Sequence, residues 1–204
     1  MISKANCRSI ARQVHIHPSL RNEDVGLLFE AMRKLLAERS YKRRDLIWYS
    51  HTPDLIRVLS FAPGLTRIRA HFAVGIALHV LDGVDDPTTW DSVRPLRCRA
   101  THPQIEDCAI SASLRHLVSD RPRYDELTDF TDRSRSHSES IPHILEVLTT
   151  CALPFLEAFS TLEDVRRFAQ SERVSAFAIR EAAKTILFPE YSQVRTISGP
   201  PNTP

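Results

Sequence analysis

The run "RIRAHFAVGIALHV", residues 67–80, constrains what this chain can fold into more than any other stretch. Ile68, Ala70, Phe72, Val74, Ile76, Leu78 and Val80 recur at every second position, the period of a β-strand that buries one face. A lone strand can neither satisfy its backbone nor cover that face, so the run demands neighbouring strands and a packed layer above them. The opposite face holds Arg67, Arg69, His71, Ala73, Gly75, Ala77 and His79. At about 3.3 Å per residue the whole run would exceed about 40 Å, which predicts a bend or bulge near Gly75.

Strand-like runs lie close by in sequence. "LIRVLSF" (55–61) is joined to the long run by "APGLT", whose Pro and Gly suit a hairpin loop, and "DLIWYS" (45–50) is joined to it by the turn "HTPD". "CAISASLR" (108–115) gives a fourth candidate, with Cys108, Ile110, Ala112 and Leu114 alternating with small and polar residues, although so short a run also suits a helix. The intervening "DGVDDPTTWDSVRPLRCRATHPQ" is turn-rich and reads as irregular.

Helical periodicity brackets these runs. In "NEDVGLLFEAMRKLLAER" Asn22 stands as N-cap, Glu23 and Asp24 favour the positive helix end, and Val25, Leu28, Phe29, Met32, Leu35 and Leu36 form one stripe. After the polar connection "TDRSRSHSES", Pro142 fits a first turn following Ser140, and Ile144, Leu145, Leu148 and Cys151 continue the helix until Pro154 interrupts it. Ser160 and Glu163 match a capping box opening "TLEDVRRFAQ", and "SERVSAFAIREAAKTILF" reads as a last helix stopped by Pro189.

The expected fold is therefore α+β: an antiparallel sheet of about four strands, the first helix over the face of Phe72, Val74 and Ile76, and C-terminal helices completing the core. Residues 1–21 form a lead-in segment, 22–189 a single α+β domain, and 190–204 a tail expected to be disordered. Lys4, Arg8, Arg12 and Arg21 without an acidic residue would suit a transit peptide, but His15, His17 and Pro18 interrupt any long amphipathic helix there.

Composition narrows the function. A chain of 204 residues can bury about 70% of its unfolded surface. With 27 Lys plus Arg against 25 Asp plus Glu, the net charge of +2 is far from that of a nucleic-acid-coating domain, so nucleic-acid binding would need a local patch. Cys7, Cys98, Cys108 and Cys151 are scattered and form no CxxC pair, which suits reduced thiols in a cytoplasmic protein. Nowhere do about 18 apolar residues run together, so no membrane association is expected.

Taken together, the first helix, "YKRRDLIWYS", "LIRVLSF", "HFAVGIAL", "EDCAIS" and "LPFLEAFSTLEDVRRF" resemble a bacterial family known only as a domain of unknown function, number forty-three-oh-four, over most of residues 25–170. The chain departs from the family's pattern at Ser40 and Tyr41, where Gly tends to precede the aromatic, and at Ala109, Ser111 and Ser113, where basic residues are usual. The resemblance implies a fold and a bacterial setting and carries no catalytic residues.

The chemistry-bearing patterns are few. Gly26, Gly64, Gly75, Gly83 and Gly199 never cluster into GxGxxG or a P-loop, and GxSxG, HExxH and kinase signatures are missing, so no cofactor is expected. Cys98, His102, Cys108 and His116 have the ligand types and number for zinc, yet their spacings match no zinc finger and Cys108 falls on an apolar strand face, so no metal is expected.

The remaining candidate is basic. Lys42, Arg43 and Arg44 precede the aromatic strand, and a hairpin closed symmetrically over 62–66 would set Arg57 opposite His71 and Leu59 opposite Arg69. Arg43, Arg44, Arg57, Arg67, Arg69 and His71 would then surround a floor of Ala73, Gly75 and Ala77, a place for a carboxylate or phosphate. A one-residue register slip would move Arg57 to the apolar face, and a helix packed closely on the small residues, with the arginines lying over it and their stems buried, is the competing account. Trp48 and Tyr49 point to opposite faces and cannot form one stacking platform for nucleic acid. The order of expectation is a non-enzymatic binding or protein-interaction module first, an enzyme or binder of a small anionic ligand at the basic face second, and a nucleic-acid-binding accessory protein third.

Overall fold

The computed structural model describes residues 22–63, 70–81, 103–130 and 137–189. The lead-in, the C-terminal tail, Arg67 and Arg69, and most of the turn-rich stretch after the long strand lie outside the described residues.

Helix α1 spans Asn22–Glu38 and carries its apolar stripe as the sequence requires, with Leu28, Phe29, Met32 and Leu36 buried. Six antiparallel strands follow in simple neighbour order: β1 (Lys42–Arg44), β2 (Ile47–His51), β3 (Leu55–Pro63), β4 (Ala70–Leu78), β5 (Ile110–Ser113) and β6 (Ala178–Ile179). The α+β class stands, but the sheet has six strands rather than about four.

Both additional strands are edge strands with local reasons for being missed. β1 is the basic triplet itself, turned into and out of extension by the left-handed Ser40 (φ 62°) and Asp45 (φ 51°). β6 lies inside the stretch that reads as one helix, whose order is instead a 3-10 turn (Glu172–Ala176), β6, and a short helix α6 (Glu181–Leu187). Helical propensity gave way there to pairing with β5, in the register Ile110 to Ile179 and Ser111 to Ala178.

The long strand is shorter and straighter than its periodicity suggests. β4 pairs without a break from Ala70 to Leu78, and Gly75 sits in register opposite Val58, so no bulge occurs. The chain turns at His79 into a 3-10 segment, leaving Val80 61% exposed instead of buried.

The helices cover one face of the sheet. Phe29 of α1 stacks on Trp48 at 5.4 Å and meets Phe61 edge-on at 5.2 Å, while Phe61 lies 5.1 Å from Phe72. Helices α2 (Arg121–Leu127), α3 (His137–Val147), α4 (Leu153–Glu157) and α5 (Leu162–Ala169) follow, and Ile144, Leu148, Leu153, Leu156 and Val165 join the same core.

Pro154 does not interrupt the helix. The chain continues from α3 into α4 through a π-helical stretch (Leu148–Ala152), in which the Leu153 N–H donates to Leu148 O five residues back. Thr149 and Thr150 hydroxyls donate back to Leu145 O and Glu146 O, so carbonyls around the wider turn keep partners next to a proline that has no N–H to offer. Pro142 likewise lies inside α3 and not at its start. The sharp bend, 107°, comes later, between α4 and α5. Its cap is Thr161 with Asp164, one residue beyond the expected Ser160 and Glu163: Thr161 Oγ1 accepts from the Asp164 N–H, and the Asp164 carboxylate accepts from the Ser160 and Thr161 N–H groups. Among the described residues no single helix is long and apolar enough to cross a membrane.

Candidate binding cleft

Of the basic candidates, Arg67 and Arg69 lie outside the described residues, and Arg43, Arg44, Arg57 and His71 do not share one face of the sheet. β3 and β4 pair with Arg57 opposite Ile76, and His71 lies opposite Ala62. The two strands therefore pair as far as Pro63 with Ala70, and this odd shift from the expected register turns Arg57 to the other face. Arg57 lies on the helix-covered side next to Ser50, where its Nε and Nη2 donate to Phe159 O at 3.0 and 2.7 Å. It serves as a tie between sheet and helix layer.

Arg43 and Arg44 sit on β1 at the sheet edge, both exposed. Arg43 pairs with Trp48 and so faces the helix side, whereas Lys42 and Arg44, paired with Tyr49 and Ile47, face the other side. His71 is exposed on that second side, two residues from Ala73.

The small-residue floor is only partly free. A 3-10 turn, Ile105–Asp107, lies over its middle, anchored by Ala109 N–H donating to Ile76 O at 2.8 Å. A methyl group added to Gly75 would collide with Cys108 Sγ and stand 2.8 Å from Cys108 Cβ and 2.9 Å from Ile105 Cδ1, so Gly75 is the position that lets this turn approach. Gly75 is closely packed, but by a 3-10 turn and Cys108 where the competing account expected a helix under arginine stems.

Beyond that turn the face opens at Ala73. A cleft of about 310 Å3 lies between the 3-10 turn on one side and β6 on the other, lined by Ala73, Ile105, Ser111, Ser113, His116, Ala176 and Ala178. Register explains the set: Ala73 pairs with Ser113, Gly75 with Ser111, and Ser111 with Ala178, so these side chains stand on one face. Ser113 Oγ accepts from the Arg115 N–H at 3.4 Å, which fixes the oxygen and leaves its proton to be donated elsewhere. Arg115 is held in turn by both carboxylate oxygens of Asp125, at 2.8 and 2.9 Å.

Both walls are fastened by one residue. Arg180 is buried, its N–H donates to Ala109 O at 2.9 Å, and its Nη1 lies 3.4 Å from Asp107 O. The end of β6 and the 3-10 turn are thereby tied across the base of the cleft, which pre-forms it.

A second cluster lies at the far end of the same sheet face. The rings of His51 and His79 stack at 5.4 Å, and Tyr49 meets His51 edge-on at 5.5 Å. Burial, then the neighbouring His79 and Lys42, hold the His51 imidazole below its ordinary value of 6.5.

Of the four groups with the ligand types for zinc, Cys98 and His102 lie outside the described residues. Cys108 is buried with its thiol 3.5 Å from Gln104 O, and His116 is exposed at the cleft. Among the described residues no group of three His, Cys, Asp or Glu side chains could hold a metal ion.

No family model, curated protein or solved structure matches the chain. The cleft residues therefore stand on geometry alone. Ser111 and Ser113 were visible in the sequence as the polar alternates of "CAISASLR", but nothing local pointed to Ala176 or Ala178, because β6 exists only through its pairing with β5.

Proposed function

We propose that this protein is a non-enzymatic binding module whose ligand is a small organic acid with a compact apolar body, held in the cleft over Ala73. The observation that carries this reading is the cleft: about 310 Å3, close to the lower end of the roughly 300 to 1,000 Å3 usual for small-molecule sites, with a mainly apolar floor and a few polar groups. Ala73, Ala178 and Ile105 offer contact to an apolar body, and the Ser111 and Ser113 hydroxyls with His116 offer donors to an acidic head. The Cys108 thiol is buried against Gly75, and no base lies within hydrogen-bond distance of the Ser111 or Ser113 hydroxyl among the described residues. That supports binding over covalent catalysis.

The earlier basic-face reading loses Arg57, which is bound to Phe159 O, and keeps His71 at the margin. Scattered cysteines and the resemblance to the bacterial family of unknown function support a bacterial cytoplasmic setting.

The test is a thermal-shift and amide-NMR titration with benzoate, succinate and inorganic phosphate, in the natural protein and in Ala178→Trp, which fills the cleft from an exposed position. Benzoate should raise the melting temperature and move the His116 and Ser113 amides, and Ala178→Trp should abolish both effects. Equal responses in the two proteins, or no response to any of the three acids, would reject the cleft as the site.

A further inference from the structure

Strand β1 ends the sheet: its one partner is β2, and among the described residues no strand pairs with its outer edge. An unpaired edge offers backbone groups to an extended chain, and on β1 these are the N–H and C=O of Arg43, since Lys42 and Arg44 turn theirs towards Tyr49 and Ile47. Lys42, Arg43 and Arg44 are all exposed on it. Among the described residues none of the three is in an ion pair, although the Arg43 charge reaches Glu30 on α1, and no other strand carries three consecutive exposed cations. The left-handed Ser40 and Asp45 bracket the triplet, so the edge is held extended before anything docks.

We propose that β1 is the docking edge for an acidic, extended segment of a partner protein, which joins the sheet as an additional outer strand. Side chains alternate across a strand, so acidic residues opposite Lys42 and Arg44 would meet them on one face and one opposite Arg43 on the other, while the Arg43 N–H and C=O add a pair of backbone hydrogen bonds. A second copy of this chain is disfavoured as the occupant, because antiparallel pairing of two β1 strands would set like charges directly opposite each other. Nucleic acid fits less well. Its phosphodiester backbone cannot use the amide ladder, and the neighbouring Trp48 and Tyr41 are buried at 1% and 6% exposure, which withholds their rings from bases.

This docking edge is independent of the cleft, so either can fail without the other. The probe is a fluorescein-labelled ten-residue peptide of alternating Thr and Glu, compared with the same peptide N-methylated at every second residue, a Thr and Lys version, and a ten-nucleotide oligothymidylate. The full chain should bind the acidic peptide at moderate salt with amide shifts at residues 42–44. N-methylation along one edge, or the Lys42→Glu/Arg44→Glu variant, should weaken binding at least tenfold, and Arg43→Gln should weaken it severalfold, with circular dichroism confirming that each variant is folded. Equal binding of the N-methylated peptide would reduce β1 to a plain charge patch and overturn strand addition. Tighter binding of the oligothymidylate, or no binding of the acidic peptide, would overturn the proposal outright.

Discussion

The guanidinium of Arg57, on β3, and the carbonyl oxygen of Phe159, just after α4, are joined by two hydrogen bonds from the two nitrogens Nε and Nη2. Residues 102 positions apart are thereby fixed to each other across the layer boundary. The carbonyls near a helix C-terminus lack intrahelical donors, and a cation there is matched to the local dipole.

Arg57→Ala should therefore destabilise the fold by about 2 kcal/mol, the usual range for hydrogen bonds to a charged group at a half-buried position. Arg57→Lys keeps the charge and loses the fork, so it should cost less than the alanine variant. Urea titration of the three proteins checks the order. A ligand-site role for Arg57 predicts instead that both variants keep full stability.

Gly75→Ala should cost about 1 to 3 kcal/mol, because the new methyl group overlaps the Cys108 side chain and Ile105 Cδ1. Adding Cys108→Ala removes the sulfur but not the Cβ at 2.8 Å, so the double variant should recover only part of the loss. Chemical denaturation of the four-protein cycle measures the coupling. Purely additive losses would mean that the 3-10 turn does not rest on Gly75.

Phe72→Ala should cost about 3 to 5 kcal/mol, since the ring is 1% exposed and packs at 5.1 Å against Phe61, itself in edge contact with Phe29. A loss below about 1 kcal/mol in denaturant titration would contradict the buried helix-to-sheet interface.

His51 gives a pH dependence with a definite sign. Its folded value lies below 6.5, so the unfolded chain binds the proton more readily, and this residue's contribution to stability is full above pH 6.5 and falls as pH drops from there towards the folded value. His51→Gln should flatten that part of the stability curve, and His79→Gln, which removes the neighbouring imidazole, should move the His51 titration upward in an NMR experiment. An unchanged His51 titration in His79→Gln would show that the stacked pair does not interact.

Much of the fold was legible because its signals are local. The stripe of Leu28, Phe29, Met32 and Leu36 and the alternation of Phe72, Val74 and Ile76 each announce one element and the face it buries. The signal ran out wherever a short segment takes its structure from a distant partner. Ala178 and Ile179 are a strand because Ile110 and Ser111 lie beside them, and Lys42–Arg44 are a strand because β2 continues past Ile47. Prolines misled for a related reason: Pro154 lacks an N–H in any setting, yet a π turn that widens the helix before it, with threonine hydroxyls bonding back to earlier carbonyls, lets the helix proceed.

By itself the sequence determined that this chain makes an amphipathic helix packed on an antiparallel sheet, since helical and strand periodicities are properties of consecutive residues. Tertiary structure alone decided the register of β3 on β4, the closing of the 3-10 turn over Gly75 and the arrival of β6 beside β5. Those three events place Arg57 under the helices, cover the floor at Gly75 and leave it open at Ala73 as a cleft. The physical reason is parity: side chains alternate faces at every residue, so the length of one hairpin turn chooses the face for every side chain of the strand that follows, and the residues on either side of the turn do not carry that choice.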